Sequence, residues 1–266
     1  MTAHVLAHFP RKRFGQHFLR DLQVLSRMAH CINAQKHQHI IEIGPGEGVL
    51  TDWLVRSECQ LSLIEIDRDL AALLNTRLTA QDVTFTLHNQ DVLDFDFSQQ
   101  GKIRVVGNLP YNISTPLLFH LFDYLPFIED MHFLLQKEVV DRLVAPTGCK
   151  DYNRLSVMTQ YFCHGEDLFD VPPSAFFPPP KVNSAFVRLT PQEPALKATH
   201  FSHFADLVKT AFNQRRKTLS NCLRVYLQPK DFTALDLDPR LRPENLTVTD
   251  FVRISNYLCA SPETGI

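Results

Sequence analysis

Residues His39 to Ile43 (H-I-I-E-I) read as a buried β-strand running into Gly44-Pro45-Gly46-Glu47-Gly48, after which Leu50, Leu54 and Val55 begin a helical pattern. Strand, glycine loop and helix in that order commit the chain to an α/β unit whose main chain can approach a ligand closely. The spacing argues against the commonest unit of that kind. A dinucleotide fingerprint is G-x-G-x-x-G, whereas this loop is G-x-G-x-G and Val49 stands where the third glycine would fall. Glu42, just before the loop, would repel a pyrophosphate as a carboxylate and suits a cationic ligand such as a sulfonium that also carries an amino group.

A second strand, Leu61 to Ile66, carries Glu65, which is 21 residues after Gly44 and so stands where nucleotide-binding α/β units place the acid that holds both ribose hydroxyls. A third strand, Val83 to Leu87, is followed by Gln90-Asp91-Val92, which brings Asp91 beside the adenine of the same ligand. Helix capping is the competing use for such acids, and a turn is the plain alternative for Asp91. Asp67 reads best as a cap for a helix starting near Arg68. With the glycine loop upstream, Glu65 and Asp91 read as ligand contacts.

Lys102 to Val106 (K-I-R-V-V) ends in an apolar run typical of a buried strand, and Gly107-Asn108-Leu109-Pro110-Tyr111 follows. The side-chain carbonyl of Asn108 and a main-chain carbonyl near Leu109 can both accept hydrogen bonds from one NH2 group while Tyr111 covers the ring that carries it. Such a clamp fits the 6-amino group of adenine. Alone, four residues of this kind more often make a strand-to-loop turn, and the donor site upstream is what favours the clamp. Phe176 lies among Pro172, Pro173, Pro178, Pro179 and Pro180, which stiffen an extended loop. It is either a second stacking ring or a core anchor beneath that loop.

G-Q-H-F-L at 15 to 19, E-I-G-P-G-E-G at 42 to 48, I-E-I-D-R-D-L at 64 to 70, G-N-L-P-Y-N-I-S-T-P at 107 to 116 and F-F-P-P-P-K-V at 176 to 182 together resemble the rRNA adenine dimethyltransferases. The bacterial small-subunit enzymes whose loss gives kasugamycin resistance are the most similar branch. A-F-N-Q-R-R-K-T-L at 211 to 219 extends the likeness into the C-terminal part. The resemblance implies S-adenosyl-L-methionine as methyl donor, no metal, and two adjacent adenosines in the 3′-terminal hairpin loop of 16S rRNA as acceptors, each dimethylated. It implies that His17 and Leu19 contact the methionine end of the donor, Gly44 and Gly46 its backbone, Glu65 the ribose and Asp91 the adenine. Asn108 would touch donor and target; Leu109, Tyr111 and Phe176 would complete the catalytic set. One departure is visible: many members carry Asn where this chain has His17, and an imidazole can still hydrogen-bond a carboxylate.

Strands near 39, 61, 83, 103, 131 and 184 alternate with helical stretches, which is the pattern of a doubly wound Rossmann-like sheet. The sequence therefore divides into a catalytic domain over 1–189 with an N-terminal arm over 1–20, a proline-bearing linker over 190–200, and a small all-helical domain over 201–266 that would contact RNA or the ribosome. Net charge is −2, so RNA contact must rest on local patches: Arg11, Lys12, Arg13 and Arg20 before the donor site, and Arg215, Arg216 and Lys217 in the C-terminal part. Phe204, Leu207, Val208, Ala211 and Phe212 form an apolar helical stripe; continued, it would carry Arg215 into an interface or an RNA groove, and the alternative is a helix break after Asn213. Thr247 and Asp250 have the spacing of a capping box for a final helix.

Six cysteines without a C-x-x-C pair point to a reducing compartment and no structural zinc. The sequence shows no apolar run of about 18 residues and no signal-peptide core, so a cytoplasmic monomer acting on the immature small ribosomal subunit is expected, with no membrane partner. Three readings compete: a 23S rRNA methylase of the macrolide-resistance type, a DNA adenine methylase with an N-P-P-Y clamp, and a non-catalytic ribosome-assembly or transcription factor of the same fold. The joint presence of Glu42, Glu65, Asp91 and N-L-P-Y favours catalysis, Leu109 argues mildly against the DNA enzyme, and the C-terminal segment favours the small-subunit enzyme.

Overall fold

The computed structural model describes residues 17–110, 113–214 and 216–260. In chain order its strands and helices are β1 (Phe18–Leu19), α1 (Leu22–Ile32), β2 (His39–Ile43), α2 (Thr51–Val55), β3 (Gln60–Ile64), α3 (Arg68–Ala80), β4 (Thr86–His88), β5 (Ile103–Asn108), α4 (Ser114–Phe122), β6 (Ile128–Gln136) and α5 (Lys137–Val144). They continue with α6 (Arg154–Phe162), β7 (Cys163–Val171), β8 (Phe176–Phe177), β9 (Ser184–Pro191), α7 (Phe201–Phe212), α8 (Leu219–Cys222), α9 (Pro229–Ala234) and α10 (Val248–Ala260).

Seven strands form one sheet in the order β4-β3-β2-β5-β6-β9-β7, and β1 pairs with β8 in a separate antiparallel ladder. Strands β2 to β6 are parallel, and β9 runs antiparallel to β6. All five residues of β2 and the first five of β5 are buried, as expected of parallel strands covered on both faces. From β2 the chain winds outward through β3 to β4, then returns to add β5 and β6 on the other side. That reversal makes the carboxyl ends of β2 and β5 the topological switch point, where open α/β sheets bind ligands.

Helix boundaries follow local chemistry. Asp21 caps α1 by accepting hydrogen bonds from the Gln23 and Val24 amides at 2.8 and 3.2 Å, and Asn33 ends it in the left-handed conformation. Val24, Leu25, Met28 and Ile32 form the buried face. Asp67 caps α3 as expected, accepting from the Asp69 amide at 3.0 Å. The expected capping box precedes α10: the Thr247 amide donates to Asp250 Oδ2 at 3.0 Å, and the Asp250 amide to Thr247 Oγ1 at 3.1 Å.

The chain divides into two compact units, Met1–Val140 with Glu166–Pro191, and Asp141–Gly165 with Gln192–Ile266. The second unit therefore recruits residues 141–165, which a contiguous cut at 189 leaves with the sheet. Helix α6 explains this. Leu155, Val157, Met158 and Tyr161 are buried, and the Tyr161 ring lies 4.7 Å from that of Phe204 on α7. Phe212 meets Phe251 of α10 at 5.8 Å, and buried Tyr152 has its phenol pushed up to about 12 by burial.

Three further local expectations need correction. Strand β4 occupies Thr86–His88 and not Val83 to Leu87. Strand β7 was not expected at all: its polar, edge-of-sheet sequence C-H-G-E-D-L-F-D-V lacks the apolar run that identifies buried strands. Helix α7 stops at Phe212 with Asn213 as its cap, which is the break given as the alternative to a continuous stripe carrying Arg215. Arg215 itself lies outside the described residues, as do Arg11, Lys12, Arg13 and Tyr111. Among the described residues, no helix is long and apolar enough to cross a membrane.

Candidate active site

At the switch point the chain leaves β2 through three glycines with positive φ: Gly44 at 62°, Gly46 at 58° and Gly48 at 79°. The loop is tied down from within. The Gly44 amide donates to the Ile64 carbonyl at 2.9 Å and the Gly48 amide to the Pro45 carbonyl at 2.8 Å. The space each glycine leaves is not equal. A Cβ on Gly48 would stand 2.6 Å from Leu74 Cδ2, and one on Gly46 would stand 3.2 Å from the Phe18 ring.

Glu65 follows β3 and is 4% exposed. Its Oε2 accepts from the Gly46 amide at 3.0 Å and its Oε1 from the Asp67 amide at 2.9 Å. Two N–H donors thus orient the carboxylate across the loop, and each oxygen keeps further lone pairs for a ligand. Burial raises its pKa, and these amide bonds work against the rise.

Glu42 is more deeply placed, at 2% exposure, and accepts a hydrogen bond from the Thr51 hydroxyl at 2.6 Å. Burial pushes it up to about 8, with the Thr51 bond acting the other way and Asp52 and Glu65 adding repulsion. Burial therefore favours the protonated carboxyl over the carboxylate. The repulsion of a pyrophosphate inferred from sequence applies only once it ionises. A cationic ligand would favour that ionisation.

Asp91 makes the turn that was its plain alternative and also stands on the cavity wall. Its Oδ1 caps the short turn Val92–Asp94 by accepting from the Leu93 amide at 3.0 Å, and the residue also lines the same cavity as Glu65. That cavity, of 260 Å³, is lined by His17, Leu19, Gly44, Gly46, Glu65, Asp91, Asn108 and Leu109 of the expected site, with Ile64, Ile66 and Val92 supplying apolar surface. Carboxyl groups and aliphatic side chains lining one cavity match the needs of an adenosine bearing a cationic tail.

Asn108 ends β5, beside β2, where Gly107 registers with Ile43. A Cβ on Gly107 would stand 2.6 Å from the Ile43 carbonyl oxygen, so only glycine lets the two strands run this close beneath the loop. The Asn108 side-chain amide donates to the His17 carbonyl at 3.2 Å, which leaves Oδ1 as the acceptor an amine clamp needs. The Leu109 amide is used by the Leu134 carbonyl at 3.2 Å, and its side chain is buried.

His17 also has a structural use. Its Nδ1 donates to the Pro178 carbonyl at 2.7 Å, so one residue links Asn108 on one side to the proline loop on the other. The loop is also held by the Arg20 amide, which donates to Ala175 at 2.8 Å. Arg20 itself pairs with cavity-lining Glu47 at 2.6 Å, a use that reading it within a phosphate-binding cluster did not anticipate.

Phe176 is not presented to the cavity. It is 5% exposed, registers with Leu19 in the β1–β8 ladder and packs in the core with Leu19, Val24 and Phe186. Its neighbour Phe177 is 60% exposed. Side chains alternate across a strand, so one of two adjacent phenylalanines must anchor and the other face out. In this conformation the stacking face expected of Phe176 is turned inward.

Sequence reasoning passed over Gly107, Thr51 and Glu47. The glycine could have been found from its place at a parallel strand's end, but the two hydrogen-bonding partners carry no pattern of their own.

The model of the family described as "Ribosomal RNA adenine dimethylase" matches residues 7–260. A relative from Pseudomonas aeruginosa named ribosomal RNA small subunit methyltransferase A is 52% identical over 260 residues, covering 96% of this chain and 97% of that one. One of the same name from Nitrosococcus oceani is 51% identical over 258 residues, covering 95% and 97%. Among solved structures, a dimethyladenosine transferase from Plasmodium falciparum superposes with a TM-score of 0.79 at 25% identity, covering 90% of this chain and 96% of that chain. A 23S rRNA methyltransferase, ErmE, gives 0.72 at 25% identity, covering 91% and 99%. The fold is thus common to enzymes of both ribosomal subunits, while the half-identical sequences carry the small-subunit name. With its switch-point cavity, its glycine loop and Asn108 at the end of β5, the chain belongs to the ribosomal RNA adenine dimethylase family.

Proposed function

We propose that the protein dimethylates the 6-amino groups of adenosines in 16S rRNA, using S-adenosylmethionine, within a small ribosomal subunit that is still being assembled. The observation that carries this reading is the juxtaposition at the switch point. A Cβ on Gly44 would lie only 4.0 Å from the Asn108 main-chain oxygen, so donor loop and amine clamp share one wall.

The donor supplies an electrophilic methyl carbon on a sulfonium. Glu65 would hold the ribose hydroxyls, Asp91 the adenine edge, and the backbone of Gly44 and Gly46 the tail, with Glu42 beneath. His17 and Leu19 would close the tail end. Asn108 Oδ1 and a main-chain carbonyl near Leu109 would accept both hydrogens of the target amine. These acceptors favour a pyramidal nitrogen whose lone pair faces the methyl group, and they stabilise the positive charge that grows there. No strong base is required, because the ammonium product is acidic enough to lose its proton readily.

The target base leaves its stack at a cost of a few kcal/mol, least for an unpaired loop base. Tyr111 would cover one face of it. Phe176 would serve the other only if the proline loop shifts and turns its ring out. Arg216 and Lys217, both exposed, would meet RNA phosphates from the helical unit, together with Arg11, Lys12, Arg13 and Arg215. The protein would act as a cytoplasmic monomer on two adjacent adenosines of the 3′-terminal hairpin.

Labelled S-adenosylmethionine supplied with small subunits lacking the modification, and in parallel with large subunits and DNA, tests the reading. Dimethyladenosine in the small subunit alone is expected. Label in the large subunit would overturn the acceptor, and tight subunit binding without label would mean a vestigial site.

A further inference from the structure

Phe177 has a use that burial of Phe176 leaves open. In the β1–β8 ladder Phe177 stands directly opposite Phe18, and opposed residues of an antiparallel pair project to the same face. Phe18 is 7% exposed and its ring abuts the glycine loop at Gly46; Phe177, beside it, is 60% exposed. The next residue, Pro178, receives the His17 imidazole hydrogen bond, and His17 in turn receives the Asn108 amide. An exposed aromatic ring is therefore tied, through two hydrogen bonds, to the residue that grips the target amine. Lys181 and Val182, also exposed, complete this rim.

Resting on the RNA methyl-transfer reading above, we propose that Phe177 is the stacking platform for the nucleotide that flanks the target adenosine. Extruding one base from an RNA loop leaves its neighbour without a stacking partner on that side. A ring held at the mouth of the site replaces the lost surface, tolerates any base identity, and keeps the neighbour from collapsing back into the gap. Lys181, four residues along the same loop, supplies the positive charge that a backbone phosphate beside that base would need. Phe177 thus acts on capture and positioning of the RNA, while Asn108 acts on the amine.

Methylation kinetics on unmodified small subunits, with donor affinity measured separately by calorimetry, test this for Phe177→Ala, Phe177→Leu and Phe177→Trp. Loss of one base-stacking contact predicts a KM for subunits raised about tenfold in the alanine and leucine variants. Tryptophan should restore it; turnover at saturation and donor affinity should stay near wild type in all three. An unchanged KM in Phe177→Ala, or a leucine variant as good as tryptophan, overturns the platform. Should the alanine variant lose donor binding as well, the leucine and tryptophan pair decides alone, equal KM values again overturning it. A wild-type protein that labels no small subunit would instead strike down the parent reading.

Discussion

The glycine loop and the proline loop both border the site, and they are held in opposite ways. The glycine loop is anchored by main-chain bonds to β3 and to itself, at the end of β2, whose residues are all buried. The proline loop is held by the two-residue ladder, the Ala175 and Asn183 carbonyls, the His17 imidazole and the buried Phe176 ring, and between these points it carries exposed Phe177, Lys181 and Val182. A small charged donor requires fixed geometry at every atom, because alignment of reacting groups sets the rate. An RNA acceptor brings its own large surface and needs a rim that can adjust.

Damage to the glycine side should therefore cost most. Gly107→Ala forces a Cβ against the Ile43 carbonyl, and we expect a loss of more than about 4 kcal/mol of stability, measured by denaturant unfolding. A well-folded variant with ordinary donor binding would show that β2 and β5 can separate without harm.

Asn108→Ala should keep the fold and most donor affinity while methyl transfer falls by about 10²- to 10³-fold, the usual cost of removing one group that stabilises developing charge. Single-turnover rates with bound donor check this, and a wild-type rate would remove the clamp from the mechanism.

Glu42 gives a pH signature. Its pKa stands at about 8 when folded against an ordinary 4.5, so between those values the folded protein holds a proton the unfolded chain has lost. Stability from this group is present in full below the lower value and declines as pH rises toward the upper one, by something on the order of 2 kcal/mol after relaxation. Glu42→Gln should flatten that decline in melting curves taken across the window. In the wild type, donor affinity should rise with pH through the same range, since a cation favours the ionised acid. Parallel melting curves for the two proteins would mean that Glu42 ionises normally.

His17→Ala removes one hydrogen bond to the proline loop, worth about 1 kcal/mol. We expect a several-fold weaker KM for subunits with little change in stability. Donor affinity should fall as well, through the tail contact proposed for His17, and a variant with unchanged KM and unchanged donor affinity would remove His17 from both sides of the comparison.

Much of this was legible before any coordinates. The β2 strand, the glycine loop, the Asp67 cap, the Thr247–Asp250 box and the helical C-terminal part follow from residue type and spacing over a few positions. Glu65, Asp91 and Asn108 line the cavity together because each sits at the end of a parallel strand, and strand ends in one sheet converge. Strand β7 was illegible because an edge strand need not be apolar, and the α7 end because a stripe does not say where a helix stops.

Local sequence determined which chemistry is present: a glycine loop preceded by a glutamate, carboxylates at nucleotide spacing, an amide at a strand end, and two adjacent phenylalanines before a run of prolines. Only the tertiary structure decided the state and direction of those groups. Burial on the sheet raises the Glu42 pKa, pairing with Leu19 turns Phe176 inward and Phe177 out, and the apolar face of α6 draws residues 141–165 to the helical unit. The physical reason is one of range. Backbone preference and capping act over a few residues, whereas desolvation, strand register and core packing depend on partners that only the fold brings together.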